Sequence, residues 1–304
     1  NMIDTTISNL GECRFKSPLI LGNPSEPTAD FGFTPETAKI CYDNEVGTNK
    51  AATGLLFEKA GPREKIFFNP AETKAAIVTC GGLCPGLNTV IRSVFVSLHH
   101  TYGVDKVYGI RYGYLGMNPS AGGEEPVLLN PDMVDRIHQE GGTILGSSRG
   151  NQPASVMTDF LVEKGINILF AVGGDGTQRG AHTIVEEVRK RGLKIAVVGI
   201  PKTIDNDIMY IRRTFGFTTA VDKARDVLTC AHTEAKSYPN GIGLVKLMGR
   251  DSGFIAGAAT VASQDVNFTI IPEVPLLLDG ERGLLEALKK RILRRKHAVI
   301  AVAE

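Results

Sequence analysis

The feature that most restricts the fold is a repeated unit. A short apolar run leads into a glycine-bearing polar loop, and then into a segment with apolar residues three and four apart. Its clearest copy is Ile166-Asn-Ile-Leu-Phe-Ala-Val172, then Gly173-Gly-Asp-Gly-Thr177, then Ile184, Val185 and Val188. A near-continuous apolar strand suits a parallel sheet covered on both faces. The stripe after it marks an amphipathic helix. An earlier copy has Ala75-Ala-Ile-Val-Thr79, the loop Cys80-Gly-Gly-Leu-Cys-Pro-Gly-Leu-Asn88, and a helix carrying Val90, Ile91, Val94, Phe95 and Leu98. Lys106–Ile110 reads as another strand, Val156–Leu161 as a helix, and Ile195–Ile200 as a strand ending on Pro201-Lys-Thr-Ile-Asp-Asn-Asp207. Strands and helices alternating at this spacing predict an α/β fold with mostly parallel sheets.

A second block of the same kind follows. Ile242–Met248 reads as a strand, Asp251–Ser263 as a helix of small residues suited to close packing, and Phe268–Ile271 as a strand. Gly283–Lys296 reads as a helix and Ala298–Ala303 as a last strand. On that helix Lys289, Lys290, Arg291, Arg294, Arg295 and Lys296 lie opposite Leu284, Leu285, Leu288 and Ile292, so a solvated face is expected rather than a binding patch. Residues 1–69 lack such periodicity and are interrupted by Pro18, Pro24, Pro27, Pro35, Gly47, Gly54 and Pro62. They predict an irregular extension with one short helix after Thr34-Pro35-Glu36. Phe31, Phe33, Phe57, Phe67 and Phe68 favour packing of this extension against the rest. The pattern thus gives an extension over 1–69, one α/β domain over 70–216 and a second over 217–304. The second is expected to be incomplete, because its last strand runs up to Glu304.

Composition narrows the function classes. A chain of 304 residues has room for about two domains. With 34 Lys+Arg against 33 Asp+Glu, the net charge of +1 gives no global attraction to nucleic acid or an anionic membrane. No apolar run approaches the ~18 residues of a membrane span, and no charged-then-apolar leader is read at the start. Five scattered cysteines, Cys13, Cys41, Cys80, Cys84 and Cys230, point to a reducing compartment rather than a disulfide framework. The 34 glycines exceed the usual ~7% of a chain.

Much of that excess lies in loops just after strands, where open α/β sheets bind ligands. Gly81-Gly82-Leu-Cys-Pro-Gly86 joins a strand to a helix start, which suits backbone N–H contact with an anion, or simply a tight turn. Cys80 and Cys84 have no second Cys/His pair at a usable spacing, which disfavours zinc. Gly173-Gly-Asp-Gly-Thr177 opens the backbone to a phosphate chain and frees Asp175 to hold Mg²⁺, the alternative being a solvated turn carboxylate. Pro201–Asp207 offers two carboxylates with Asn206 between them, one to accept a proton and one to orient groups. Met248-Gly-Arg-Asp-Ser-Gly253 sets Arg250 at a strand end, where it can neutralise a phosphoryl group or form a structural ion pair.

Together, Gly-Gly-x-x-Pro-Gly-x-Asn at 81–88, Gly-Gly-Asp-Gly-Thr at 173–177, Pro-Lys-Thr-Ile-Asp-Asn-Asp at 201–207 and Met-Gly-Arg at 248–250 resemble the phosphofructokinases, in the same order. Ala60-Gly-Pro-Arg63 and Gly142–Arg149 add to the likeness, which runs from about residue 60 to residue 304. The long extension and Lys202 look most like the plant and trypanosomatid ATP-dependent branch. The resemblance implies two Rossmann-like three-layer domains and transfer of the ATP γ-phosphoryl group to the 1-hydroxyl of fructose 6-phosphate. It implies that Gly81, Arg149, Gly150, Gly174, Asp175, Gly176 and Thr177 bind the nucleotide, with Asp175 on Mg²⁺. It further implies Asp205 as the base, Thr203 and Asp207 as positioning groups and Arg250 on the transferring phosphoryl. Thr203, Asp205, Met248, Gly249, Arg250 and Glu304 would contact the sugar. A cytoplasmic, allosteric homo-oligomer, dimer or tetramer, is also implied.

In this family Gly at position 176 goes with ATP and Asp with pyrophosphate, since a carboxylate there crowds the nucleotide. Lys202 occurs in many pyrophosphate users, but the plant and trypanosomatid ATP users combine Gly with Lys, as here. Gly241 departs from the bacterial pattern, where an Arg reaches a neighbouring subunit's sugar phosphate. Three functions remain: an ATP-dependent kinase, its pyrophosphate-using relative, and a catalytically silent subunit of the same fold. The silent subunit is disfavoured by the presence of Asp205 and Arg250. A Rossmann dehydrogenase is disfavoured because no acidic residue follows a true GxGxxG at the ribose distance.

Overall fold

The structure, a computed structural model, describes residues 4–21, 32–42 and 55–304. Pro24, Pro27, Phe31, Gly47 and Gly54 lie outside the described residues. Two compact units emerge, Asn1–Gly82 with Asn88–Ile200, and Leu83–Leu87 with Pro201–Glu304.

In the first unit the extension contains β1 (Phe15–Lys16), β2 (Lys39–Cys41), β3 (Leu56–Glu58) and β4 (Lys65–Ile66). β1 pairs antiparallel with β4, and β2 with β3. The short helix expected after Thr34-Pro35-Glu36 is a single turn, closed by the Ala38 N–H on the Pro35 carbonyl at 3.1 Å. The Ala38 carbonyl then accepts from the Lys59 N–H at 2.9 Å, so strand pairing captures the chain before a second helical turn forms. Arg63 knots this region. Its guanidinium donates to the carbonyls of Thr34, Pro35 and Lys59 and to the Glu58 carboxylate at 2.5–2.9 Å.

The main sheet of this unit follows, with β5 (Lys74–Thr79), α1 (Leu87–Val96), β6 (Lys106–Ile110), β7 (Val127–Leu128), α2 (Pro131–Val134), α3 (Ala154–Lys164), β8 (Ile168–Gly173), α4 (Asp175–Lys190) and β9 (Ala196–Pro201). The strand order is β7-β6-β5-β8-β9. β5 is parallel to both neighbours, with Ala75 opposite Val107 and Ile168, while β7 is an antiparallel edge. Ala75, Ala76, Ile77 and Val78 are fully buried, as an apolar run between two helical layers should be. Ala76, Val78, Leu169 and Ala171 pack with Met157, Phe160 and Leu161 of α3 and with Ile184 and Val188 of α4.

The second unit contains α5 (Phe217–Ser237), β10 (Gly241–Leu247), α6 (Phe254–Ser263), β11 (Phe268–Ile270), α7 (Leu284–Arg295) and β12 (His297–Ala303). β12 is central and parallel to both β10 and β11. Ala224 and Leu228 of α5, Ile255, Ala256 and Ala259 of α6, and Val299 and Ala301 of β12 form one core. α5 has 21 residues, and the sequence pattern predicted no element there. Its inward stripe is Val221, Ala224, Leu228, Ala231 and Ala235, mostly alanines that carry little periodic signal. On α7, Lys289, Lys290, Arg294 and Arg295 are exposed as expected, while Leu285 is also exposed.

Glycine has opposite meanings on two elements of this unit. At Gly241 a Cβ would lie 2.2 Å from the Ala235 carbonyl oxygen, so β10 runs against the end of α5 where no side chain fits. In α6 Gly257 faces open space, and close packing of that helix comes from its alanines. Gly257→Ala should therefore stabilise the protein by about 0.5–1 kcal/mol, from helix propensity alone. Gly241→Ala should destabilise it by about 1–3 kcal/mol through overpacking. Urea unfolding of the two variants checks both signs.

Candidate active-site loops

In the first unit, three glycine-bearing segments converge at the carboxyl ends of β5 and β8. Gly81, at φ +83°, donates its N–H to the Ser148 carbonyl at 2.9 Å, and Ser147 Oγ donates back to the Gly81 carbonyl at 2.6 Å. The Arg149 guanidinium lies beside Gly82, 3.7 Å from where a Cβ would stand. Gly150, at φ +99°, faces open space. The Cys80 N–H bonds the Val172 carbonyl at 2.9 Å and so ties this pair of loops to the end of β8.

At that end, Gly173 is required because a Cβ would meet Thr177 Oγ1 at 2.1 Å. Gly174 is the N-cap of α4 and supplies no side-chain cap. The first-turn amides of this 16-residue helix are therefore not claimed by a capping side chain, the usual setting for an anion. Two side chains hold the turn from behind. Tyr114, 1% exposed, donates its hydroxyl to the Thr177 carbonyl at 2.7 Å, and Gln178 Nε2 donates to the Gly173 carbonyl at 2.9 Å. Burial pushes the Tyr114 hydroxyl well above the usual phenol range, so it stays a donor.

Asp175 is exposed in the first turn of α4. Among the described residues no three His, Cys, Asp or Glu side chains gather to hold a metal by themselves. One exposed carboxylate beside amides that lack a capping side chain suits Mg²⁺, which is usually held by one or two carboxylates plus substrate phosphates. The site fits that ion as a shared ligand.

In the second unit, the loop after β9 is fixed by its own side chains. Thr203 Oγ1 accepts the Asp205 N–H at 3.1 Å and donates to Asp207 Oδ1 at 2.7 Å. Asn206 adopts φ +57°, and its Oδ1 accepts the Thr214 N–H at 2.8 Å while its Nδ2 donates to the Arg212 carbonyl at 3.3 Å. Asn tolerates the left-handed region better than most residues. The Met248–Gly253 loop joins from the end of β10. Buried Ser252 donates its Oγ to the Asp205 carbonyl at 3.1 Å, and the positive charge of Arg250 acts on the Asp205 carboxylate. Gly249, at φ +128°, has no room for a Cβ, which would lie 2.3 Å from the Ser252 carbonyl oxygen. The register that pairs Leu247 with Ala303 brings Glu304 alongside Met248, and Glu304 Oε1 stands 3.9 Å from Lys246 Nζ. Met248 is half exposed and Arg250 exposed.

Burial raises the Asp205 carboxyl above the ordinary carboxylate range. The Asp207 charge adds to this, Arg250 opposes it, and Glu304 raises it again. Burial also pushes the nearby Cys84 thiol up to about 11, with Lys202 opposing and Asp205 adding; Cys84 donates to the Phe215 carbonyl at 3.2 Å. The thiol therefore stays protonated and unreactive.

In unit one the structure groups Gly81, Arg149 and Gly150, with Gly174–Thr177 tied to them through the Cys80 bond to β8. In unit two it groups Thr203, Asp205, Asp207, Met248, Gly249, Arg250 and Glu304. Sequence reasoning missed the supports: Tyr114, Gln178, Thr214 and Ser252. Only Ser252 carried a signal, by its place inside the fourth loop.

A family model described as Phosphofructokinase matches residues 74–304. The chain belongs to this family. It is 48% identical over 309 residues to the ATP-dependent 6-phosphofructokinase of Borreliella burgdorferi, covering 99% of this chain and 69% of that protein. It is 53% identical over 251 residues to ATP-dependent 6-phosphofructokinase 7 of Arabidopsis thaliana (83% and 51%). It is 52% identical over 250 residues to the ATP-dependent 6-phosphofructokinase of Trypanosoma cruzi (82% and 51%). The chain thus spans about half the length of the plant and trypanosome relatives it matches. Among solved structures, the T-state phosphofructokinase of Pichia pastoris superposes with TM-score 0.66 at 27% identity, over 76% of this chain and 26% of that one. A pyrophosphate-dependent phosphofructokinase of Marinobacter aquaeolei has TM-score 0.66 at 22% identity, over 76% of this chain and 60% of that one, a likeness of fold alone.

The raised Asp205 pKa makes a stability prediction with a definite sign. A carboxylate that titrates higher folded than unfolded, where the value is ~3.9, costs stability once ionised. That cost is absent below the unfolded pKa, grows as pH rises toward the folded one, and is complete above it. Asp205→Asn should therefore raise the melting temperature at neutral pH, and the gain should vanish toward pH ~4. A thermal-unfolding series across that range checks it.

Proposed function

We propose that the chain carries the chemistry of an ATP-dependent 6-phosphofructokinase, moving the ATP γ-phosphoryl group to the 1-hydroxyl of fructose 6-phosphate. The observation that carries this reading is Asp205, a partly buried carboxylate whose own N–H is held by the Thr203 hydroxyl and which feels the positive charge of Arg250. An acceptor hydroxyl needs a base that is fixed, partly desolvated and close to a cation, and Asp205 meets all three conditions. Relatives at about half identity, named ATP-dependent 6-phosphofructokinases, support it.

In this reading the amides of Gly81 and Gly174–Thr177, with Arg149 and Gly150, bind the nucleotide phosphates. Asp175 shares Mg²⁺ with them, and the ion supplies charge neutralisation on the phosphoryl oxygens. Asp205 takes the proton of the sugar 1-hydroxyl, Thr203 and Asp207 hold its geometry, and the Arg250 guanidinium stabilises the transferring group. Met248, Gly249 and Glu304 contact the sugar. Five free cysteines support a reducing, cytoplasmic setting. We also read the full protein as a homo-oligomer.

ATP is favoured over pyrophosphate by Gly176, where a Cβ would meet nothing within 4 Å. An Asp there would fit the folded chain, so its effect would fall on the donor and not on folding.

A coupled assay of the full-length protein, offered fructose 6-phosphate with ATP or pyrophosphate in turn, should show turnover with ATP. Asp205→Asn should lower kcat by at least ~10²-fold while nucleotide binding persists. Near-normal turnover would remove Asp205 from its role. Gly176→Asp should impair ATP use far more than sugar binding, with no loss of melting temperature. Steady-state kinetics with each substrate varied separates the two.

A further inference from the structure

Within the second unit, the end of the β10–β12–β11 sheet opposite Glu304 holds a polar cluster that the catalytic reading does not use. His297 begins β12, ~20 Å along the strand from Glu304. His232 projects from α5 toward it. Their Nε2 atoms stand 3.2 Å apart, with ring centroids 5.2 Å apart and planes tilted by 27°. On the far side of each ring Nδ1 is engaged, His232 Nδ1 at 2.8 Å from Asp265 Oδ1 and His297 Nδ1 at 3.0 Å from the Arg295 carbonyl oxygen.

The donor inventory decides what this requires. A carboxylate and a carbonyl can only accept, so both Nδ1 atoms carry hydrogen. A neutral imidazole has one N–H. Two neutral rings would thus face each other with bare Nε2 lone pairs at 3.2 Å, which is repulsive. A positive species between them resolves the contact.

We propose that this gap is a divalent transition-metal site with His232 Nε2 and His297 Nε2 as its ligands. Two imidazole nitrogens each ~2.0–2.1 Å from a tetrahedral zinc stand roughly 3.3 Å apart, which matches the observed spacing. A ligating histidine normally donates its other N–H to a carboxylate or a backbone carbonyl, and here Asp265 and Arg295 fill those parts. Imidazole pairs suit zinc, copper or nickel rather than Mg²⁺. Among the described residues no further His, Cys, Asp or Glu completes a set of three, so water fills the other positions and the ion exchanges. The His232 and Asp265 side chains are 22% and 29% exposed, enough for that water to enter. On binding, the ion takes both Nε2 lone pairs. The ion then ties α5 to β12.

Zinc chloride is the probe, titrated calorimetrically in phosphate-free buffers of differing ionisation enthalpy. The protein is the whole chain with Cys13, Cys41 and Cys230 changed to Ser, so that less-buried thiols do not compete. The expected result is one zinc bound, at least a tenfold loss of affinity in His232→Gln and in His297→Gln, and roughly a tenfold loss in Asp265→Asn with unchanged stoichiometry. Circular dichroism confirms that the variants fold. Imidazole proton NMR of the chain with its histidines intact keeps the test independent of them: zinc should shift two of the six histidines and leave the others in place. Uptake no greater than that of a folded His232→Gln/His297→Gln double variant, or zinc shifts at other histidines instead, would overturn the site and leave a shared proton as its occupant.

Discussion

Parallel pairing decides where chemistry can occur in each unit. With β5 parallel to β6 and β8, and β12 parallel to β10 and β11, the neighbouring strands of each set end on the same side. Each crossover helix starts just past a strand end, so a loop there meets other loops and not a helix terminus of the opposite sign. The Gly81 and Gly173 loops are neighbours because β5 and β8 are. Met248 and Glu304 are neighbours because Leu247 pairs with Ala303. A slip of one residue between β10 and β12 would turn every side chain to the other face.

The loops are rigid for different reasons. The β8–α4 turn is held from behind by Tyr114 and Gln178, which bond the carbonyls of Thr177 and Gly173. The first-turn amides of α4 are left without a side-chain cap. The Thr203–Asp207 loop is held by its own side chains, with Asn206 accepting a left-handed backbone between the two carboxylates. Asp205 is thereby kept partly out of water beside Asp207 and Glu304, and Arg250 offsets only part of the cost. That arrangement lowers stability and leaves a partly desolvated carboxylate in a polar loop, a combination that clusters at functional sites.

How much of this was legible in the sequence follows from how local each signal is. The apolar strands, the glycine loops and the carboxylate string are contiguous, and they were placed correctly to within a residue or two, as with Ile242–Met248 against the observed Gly241–Leu247. α5 was not legible, because alanines along its inner face pack tightly without looking apolar-periodic. The strands of the extension were hidden too, since two- and three-residue strands have no period, and their order depends on Arg63 meeting carbonyls up to 29 residues away. Supports such as Tyr114 and Ser252 touch backbone atoms of distant residues, and a backbone atom leaves no mark in a residue string.

The contact at Gly241 has a consequence for sequence variation. Its neighbour is a main-chain oxygen of α5, which no substitution at Ala235 can remove. A relative bearing any side chain at this position must have shortened or shifted the end of that helix. Change at 241 is therefore coupled to insertion, deletion or bending in the segment from 235 to 240, and the two should vary together across the family.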